Sequence, residues 1–239
     1  MTGHTAIVPP AESTLACIAR GLREIPRLLV RLPGLARQPR GAGEPVLVLP
    51  GFGFGDASTW VLRKYLRHLG YDVRGWRLGI NSGDVPRLLP VIVSLVESLA
   101  RERGAMLRLV GWSLGGYLAR EAARERPHLV EQVIMLGSPV VGGPKYTVAA
   151  GILRRRGVDL DAIEAEVAER SRRPLPVPII SVYSRADGVV AWEACIDTTS
   201  VRAENIEVRA SHVGLGFSPD VYEIVAGRLC RGGVADGGR

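Results

Sequence analysis

Lysine is almost absent from this sequence of 239 residues: Lys64 and Lys145 stand alone among 31 basic side chains, the rest being arginine. Cysteine is scarce and scattered. Cys17, Cys195 and Cys230 form no metal-ligand spacing, and an odd number gives no disulfide framework, so no metal or other cofactor is called for and a reducing compartment is expected. No apolar run reaches the roughly 18 residues of a membrane span. The stretch from Met1 to Pro10 lacks the basic and then apolar regions of a secretory signal, which leaves a cytoplasmic protein, membrane-peripheral at most, as the expectation. Nucleic-acid motifs are missing too. The net charge is +7, yet the arginines alternate with acids in "LARERG" and "REAARERP" instead of forming a block interleaved with aromatics. That pattern suits a solvated surface and no nucleic-acid partner.

What remains is an ordinary globular composition, 46% hydrophobic and 23% charged, which excludes general disorder and fits one domain. Residues 1–44 read as an N-terminal basic segment in which 13–37 form one amphipathic helix, or two broken near Pro26 and Pro33. Such a segment packs on a core or lies on a membrane surface. From residue 45 to 230 strands and helices alternate. Strands are predicted at 46–49, 73–78, 107–111, 132–137, 178–183 and 205–209, and helices at about 58–69, 86–102, 114–125, 191–198 and 219–229, with Asp56 or Ser58 capping the first. Short Val/Ile/Leu strands alternating with helices predict a parallel sheet buried on both faces. Between Pro139 and Pro174 no strand appears, so about 140–174 is expected to be a helical insertion, as a lid or as a passive surface element. Residues 231–239 read as a disordered tail.

Two stretches bear on chemistry. "VLVLPGFGFGD" runs from a strand into a glycine-rich turn. It is not G-x-G-x-x-G, and Asp72 precedes the next strand instead of ending it, so a dinucleotide site is excluded. "LRLVGWSLGGYLAR" places G-x-S-x-G between a buried strand and a helix. There Ser113 would project from a sharp turn that requires glycine at Gly111 and Gly115, with the helix N-terminus supplying backbone donors.

A serine hydroxyl needs a base. Of His4, His68, His128 and His212, only His212 falls in a loop after the last predicted strand, where a parallel sheet gathers its active-site loops. The base needs an acid to fix its tautomer, and Asp187, after the preceding strand, fits better than Glu193, Asp197 or Asp220.

With Ser113, Asp187 and His212 in that order, the chain resembles the serine-dependent α/β-hydrolase superfamily over about residues 44–230, and within it the small bacterial lipases and esterases. The resemblance implies an α/β-hydrolase fold with a reduced, mainly parallel sheet of about six strands flanked by helices, and a small helical lid insertion. It implies an oxyanion hole from the N–H groups of Leu114 and Phe52. Many relatives carry His-Gly where this chain has Pro50-Gly51, which removes a side chain that orders the loop. The activity implied is hydrolysis of carboxylic esters through an acyl-enzyme. Apolar residues about the site (Phe54, Trp112, Val189, Val190, Leu215) favour small-molecule or lipid esters with apolar acyl chains. Two other readings stay open: an acyltransferase or thioesterase on the same triad, and a non-catalytic scaffold for apolar ligands or membrane surfaces.

Overall fold

The order of the strands fixes where the chain can build a site. The computed structural model describes residues 7–10 and 14–231; most of the tail, and the first residues with His4, lie outside them. Six strands, β1 (Pro45–Leu49), β2 (Asp72–Gly75), β3 (Leu107–Trp112), β4 (Val130–Leu136), β5 (Ile179–Tyr183) and β6 (Ala203–Glu207), form one parallel sheet in the order β2-β1-β3-β4-β5-β6. The strands β1 and β3 are buried at every position. Their apolar runs, broken in β3 only by Arg108, which pairs with Glu44 and Glu131, follow from helices covering both faces.

On one face α2 (Glu24–Leu35), α3 (Trp60–His68) and α8 (Pro219–Arg231) join a core with Val46, Val48 and Val110. On the other, α4 (Val85–Arg103) and α5 (Leu114–Glu125) pack on Leu47, Leu49 and Leu109. The helix after β1 and the helix after β3 therefore leave the sheet on opposite faces. A crevice opens between the carboxyl ends of these two adjacent strands, the place where open α/β sheets bind ligands.

Several boundaries differ from the sequence reading. Residues 191–198 are not an α-helix: only the 3₁₀ turn Trp192–Cys195 forms, because Ala194 O accepts from the Val140 and Val141 N–H groups, Cys195 O accepts from Ser181 Oγ, and the Asp197 N–H goes to Asn205 Oδ1. Strand β2 stops at Gly75, since Arg77 adopts φ 58°. Asp56 holds that corner, accepting from the N–H groups of Trp76 (3.1 Å) and Arg77 (3.1 Å). It therefore does not cap α3, and Ser58 donates its hydroxyl to Gly55 O instead. Strand β6, an exposed edge, begins two residues earlier than its apolar alternation suggested. The N-terminal helices α1 (Thr14–Leu22) and α2 part at Arg23, before Pro26 rather than at it. Pro26 sits in the first turn of α2, where its missing N–H has no helical partner to lose.

The 140–174 interval contains α6 (Ala150–Arg155) and α7 (Leu160–Ser171). Arg170 ties α7 to Glu121 and Glu125 of α5, and Thr147 bridges Val190 at the base of the insertion. Among the described residues no helix is long and apolar enough to cross a membrane.

Candidate active site

Strand β3 delivers Ser113 directly to the first turn of α5. Ser113 has φ 55° and ψ −126°, a region that costs a non-glycine residue on the order of 1–3 kcal/mol and persists only where packing enforces it. The enforcement is visible in the glycines. A Cβ at Gly111 would overlap Gly115 O and the Gly116 backbone, one at Gly115 would lie 2.5 Å from Leu49 O, and one at Gly116 would overlap Ser138 Oγ. Gly116 was not singled out in the sequence, although "SLGGY" shows it. The Ser113 N–H is fixed to Leu136 O at 2.8 Å, so the hydroxyl stands at the carboxyl edge of the sheet.

Asp187 follows β5 and His212 follows β6. The Asp187 carboxylate is buried. Its Oδ1 accepts from the N–H groups of Val189 (2.8 Å) and Val190 (2.9 Å), and its Oδ2 lies 2.6 Å from His212 Nδ1. One oxygen thus fixes the carboxylate while the other orients the ring. Trp112 Nε1 donates to His212 O at 3.2 Å, which couples the histidine loop to the residue preceding Ser113. Among the described residues Ser113 Oγ makes no hydrogen bond to His212. Such contacts commonly tighten only when substrate is bound.

Other groups enclose this pair. Gly137, with φ +59°, sits where a Cβ would lie 3.1 Å from Asp187 Oδ2 and 3.2 Å from His212 Nδ1. The first helix backs the same loops. Ser211 Oγ donates to Cys17 O (3.5 Å), Arg20 reaches Ala186 O (3.3 Å), and Gly21 abuts Val213. The basic N-terminal segment therefore packs behind both the acid and the histidine loops.

Two of the rival acids are committed elsewhere. Asp197 is buried against Arg120 at 2.8 Å. Asp220, in the first turn of α8, pairs with Arg27 at 3.2 Å. His68 and His128 are exposed.

The turn after β1 faces the serine: a Cβ at Gly51 would lie 3.3 Å from Ser113 Cβ. The Phe52 N–H makes no hydrogen bond among the described residues. The N–H of Leu114, first residue of α5, has no carbonyl one helical turn behind it and sits at the positive end of the helix dipole. Of the apolar residues proposed around the site, Val190 and Leu215 are wholly in the core and Trp112 nearly so. Val189 is half-buried. Phe54 is 50% exposed and stacks on Trp112 with ring centroids 6.0 Å apart. Phe52, on the turn after β1, and Ile80, in the loop after β2, are exposed as well. A recess of about 410 Å³ lies between α7 and the loops 140–142 and 196–199. Phe52, Ser113 and His212 form none of its walls.

No protein-family model matches the sequence, and no curated protein matches it significantly. Solved structures do match. One of the two metagenome-derived lipolytic enzymes LipS and LipT superposes with a TM-score of 0.62 at 20% identity, over 80% of this chain and 94% of its own. The monoacylglycerol lipase of Paleococcus ferrophilus gives 0.60 at 16% identity, over 81% and 97%. A membrane phospholipase A, a bacterial virulence factor, gives 0.60 at 16% identity, over 92% and 96%. With its parallel sheet, strand order and these likenesses, the chain has the α/β-hydrolase fold.

Proposed function

We propose that this protein is a serine carboxylic ester hydrolase acting on esters or lipids with apolar acyl chains. Ser113 attacks the ester carbonyl, and His212 takes the hydroxyl proton and returns it to the leaving alcohol. Asp187 holds the imidazole by its Nδ1 edge and stabilises the imidazolium. The N–H groups of Phe52 and Leu114 receive the negative charge that develops on the carbonyl oxygen. Water then hydrolyses the acyl-enzyme by the same steps in reverse.

The observation that carries this reading is the Asp187–His212 pair at 2.6 Å, set beside a serine held at φ 55° on the turn into α5. A binding scaffold would have no use for that strain. The exposed Phe52, Phe54 and Ile80 favour apolar acyl groups. Lipolytic enzymes among the similar structures agree with this choice.

Contact with a lipid surface belongs to the same proposal. Ile18, Leu22, Ile25, Leu29 and Leu32 are all exposed along α1 and α2, at alternating spacings of four and three residues. They form one apolar stripe running alongside the face that buries Cys17, Leu28 and Leu35.

Turnover of p-nitrophenyl esters from acetate to palmitate, together with fluorophosphonate labelling, tests the reading. Ser113→Ala is expected to abolish labelling and lower kcat by on the order of 10⁶-fold. Near-wild-type turnover in that variant would end the serine mechanism. Added alcohols or thiols, assayed for acyl products, separate hydrolysis from acyl transfer.

A further inference from the structure

The turn Pro50–Phe54 lacks the histidine that orders it in many proteins resembling this one, yet it is not left loose. Asn81, in the loop between β2 and α4, is completely buried. Its Nδ2 donates to Pro50 O at 2.9 Å. Its backbone O accepts from Gly53 N (2.9 Å) and its backbone N–H donates to Phe54 O (2.8 Å). Its Oδ1 accepts from Gly83 N at 3.2 Å, which fixes the side chain's own orientation. One residue outside the turn thus grips it at its entry, middle and exit.

The consequence for Phe52 follows from peptide geometry. Gly51 O is engaged by Phe54 N at 3.2 Å. In a planar trans peptide C=O and N–H point opposite ways, so the Phe52 N–H points away from the turn that Asn81 closes. Rotation of the peptides at 50–52 would swing a carbonyl into the place of that N–H. Asn81 Nδ2, by holding Pro50 O, fixes the 50–51 peptide, against which the peptide bearing the Phe52 N–H must turn. We propose that Asn81 is a positioning residue for the oxyanion hole, supplying from the loop after β2 the order that a histidine at position 50 would otherwise supply.

This inference rests on the acyl-enzyme reading above, and it predicts an effect on transition-state binding rather than on ester binding. Asn81→Ala removes the donor to Pro50 O. Asn81→Asp keeps the size and the acceptor for Gly83 N but sets a carboxylate oxygen against the carbonyl. Losing one oxyanion donor costs about 10²–10³ in kcat, so each variant should lose roughly 10–10³-fold in kcat with KM changed by less than about threefold. Affinity for a trifluoromethyl ketone analogue and the rate of fluorophosphonate labelling should fall in step with kcat/KM. Melting temperature is recorded alongside, and Asn81→Asp carries the test if Asn81→Ala does not accumulate folded.

Folded variants that keep kcat and analogue affinity within twofold of wild type overturn the inference. So does a loss confined to KM. Ser113→Ala assayed in parallel separates the two levels. Labelling lost in Ser113→Ala but unchanged in the Asn81 variants defeats the inference alone, whereas turnover retained in Ser113→Ala defeats the reading beneath it.

Discussion

Gly137 shows how much of a site can depend on a side chain that is not there. Its φ of +59° would cost an L-residue about 1–2 kcal/mol. Its absent Cβ leaves room for Asp187 Oδ2, His212 Nδ1 and Leu215 Cδ1. Alanine there must displace Leu215, 2.6 Å from the added carbon, and press on the acid–histidine pair. Gly104, the C-cap of α4, offers a matched control, with φ +60° and open space around an added Cβ. Gly137→Ala and Gly104→Ala are therefore expected to lose comparable stability through their backbones. Only Gly137→Ala should also lose kcat, by roughly tenfold or more, because small misplacements of reacting groups cost that much. Equal kcat in both variants, measured on a soluble ester beside melting curves, would deny that Gly137 seats the pair.

At the scale of elements, the buried ion pair between α5 and the loop after β5 sets a second requirement. Burial alone would raise the Asp197 pKa, but the Arg120 guanidinium at 2.8 Å and the Ser200 hydroxyl and N–H outweigh it and hold the carboxyl at about 2. A depressed folded-state pKa stabilises the fold above the unfolded value near 3.8 and loses that contribution as pH falls towards 2. The amount is about 2 kcal/mol. Urea midpoints should therefore drop between about pH 4 and pH 2. In Asp197→Asn this part of the drop should vanish, while stability at neutral pH falls by about 2 kcal/mol, since Arg120 keeps Glu121 at 2.9 Å and Thr199 Oγ1 at 2.7 Å. An unchanged acid limb in the variant would assign the pH dependence to other carboxylates.

The same loop marks where the sequence misleads. The parallel sheet was legible because β1, β3, β4 and β5 are buried along nearly their whole length and read as mainly apolar runs, interrupted by Arg108, by Glu131 and Gln132, and by Ser181. The helix expected over 191–198 was not, because its carbonyls at Ala194 and Cys195 and its N–H at Asp197 are taken by groups distant in sequence. Ser113, Asp187 and His212 stand out as candidates because the proposed chemistry calls for those residue types and the fold that the chain resembles orders them serine, acid, histidine. Asn81 and Gly137 do not. One acts through hydrogen bonds to the backbone of a distant turn and the other through empty space, and neither leaves a pattern at fixed spacing.

Viewed as a whole, the molecule sets an apolar stripe beside its candidate site and carries a positive net charge. The first helix lies behind the histidine loop, with Gly21 against Val213, so the apolar stripe of α1 and α2 starts beside the site. Arg27 and Arg31 next to the stripe are partly neutralised by Asp220 and Glu223. Attraction to an anionic surface must then come mainly from the net charge of +7, which salt screens over a Debye length of about 10 Å at 0.1 M. The stripe supplies the salt-independent part, at roughly 1.5–3 kcal/mol for each large side chain fully buried in lipid. Vesicles containing phosphatidylglycerol should therefore bind the protein more tightly than phosphatidylcholine alone, and salt should narrow the difference. The double variant Leu22→Glu, Leu29→Glu should lose at least tenfold in partition to either vesicle while keeping wild-type turnover of p-nitrophenyl acetate. Undiminished sedimentation of that variant with vesicles would remove the stripe as the docking face, whereas lost turnover on the soluble ester would instead place these leucines in support of the histidine loop.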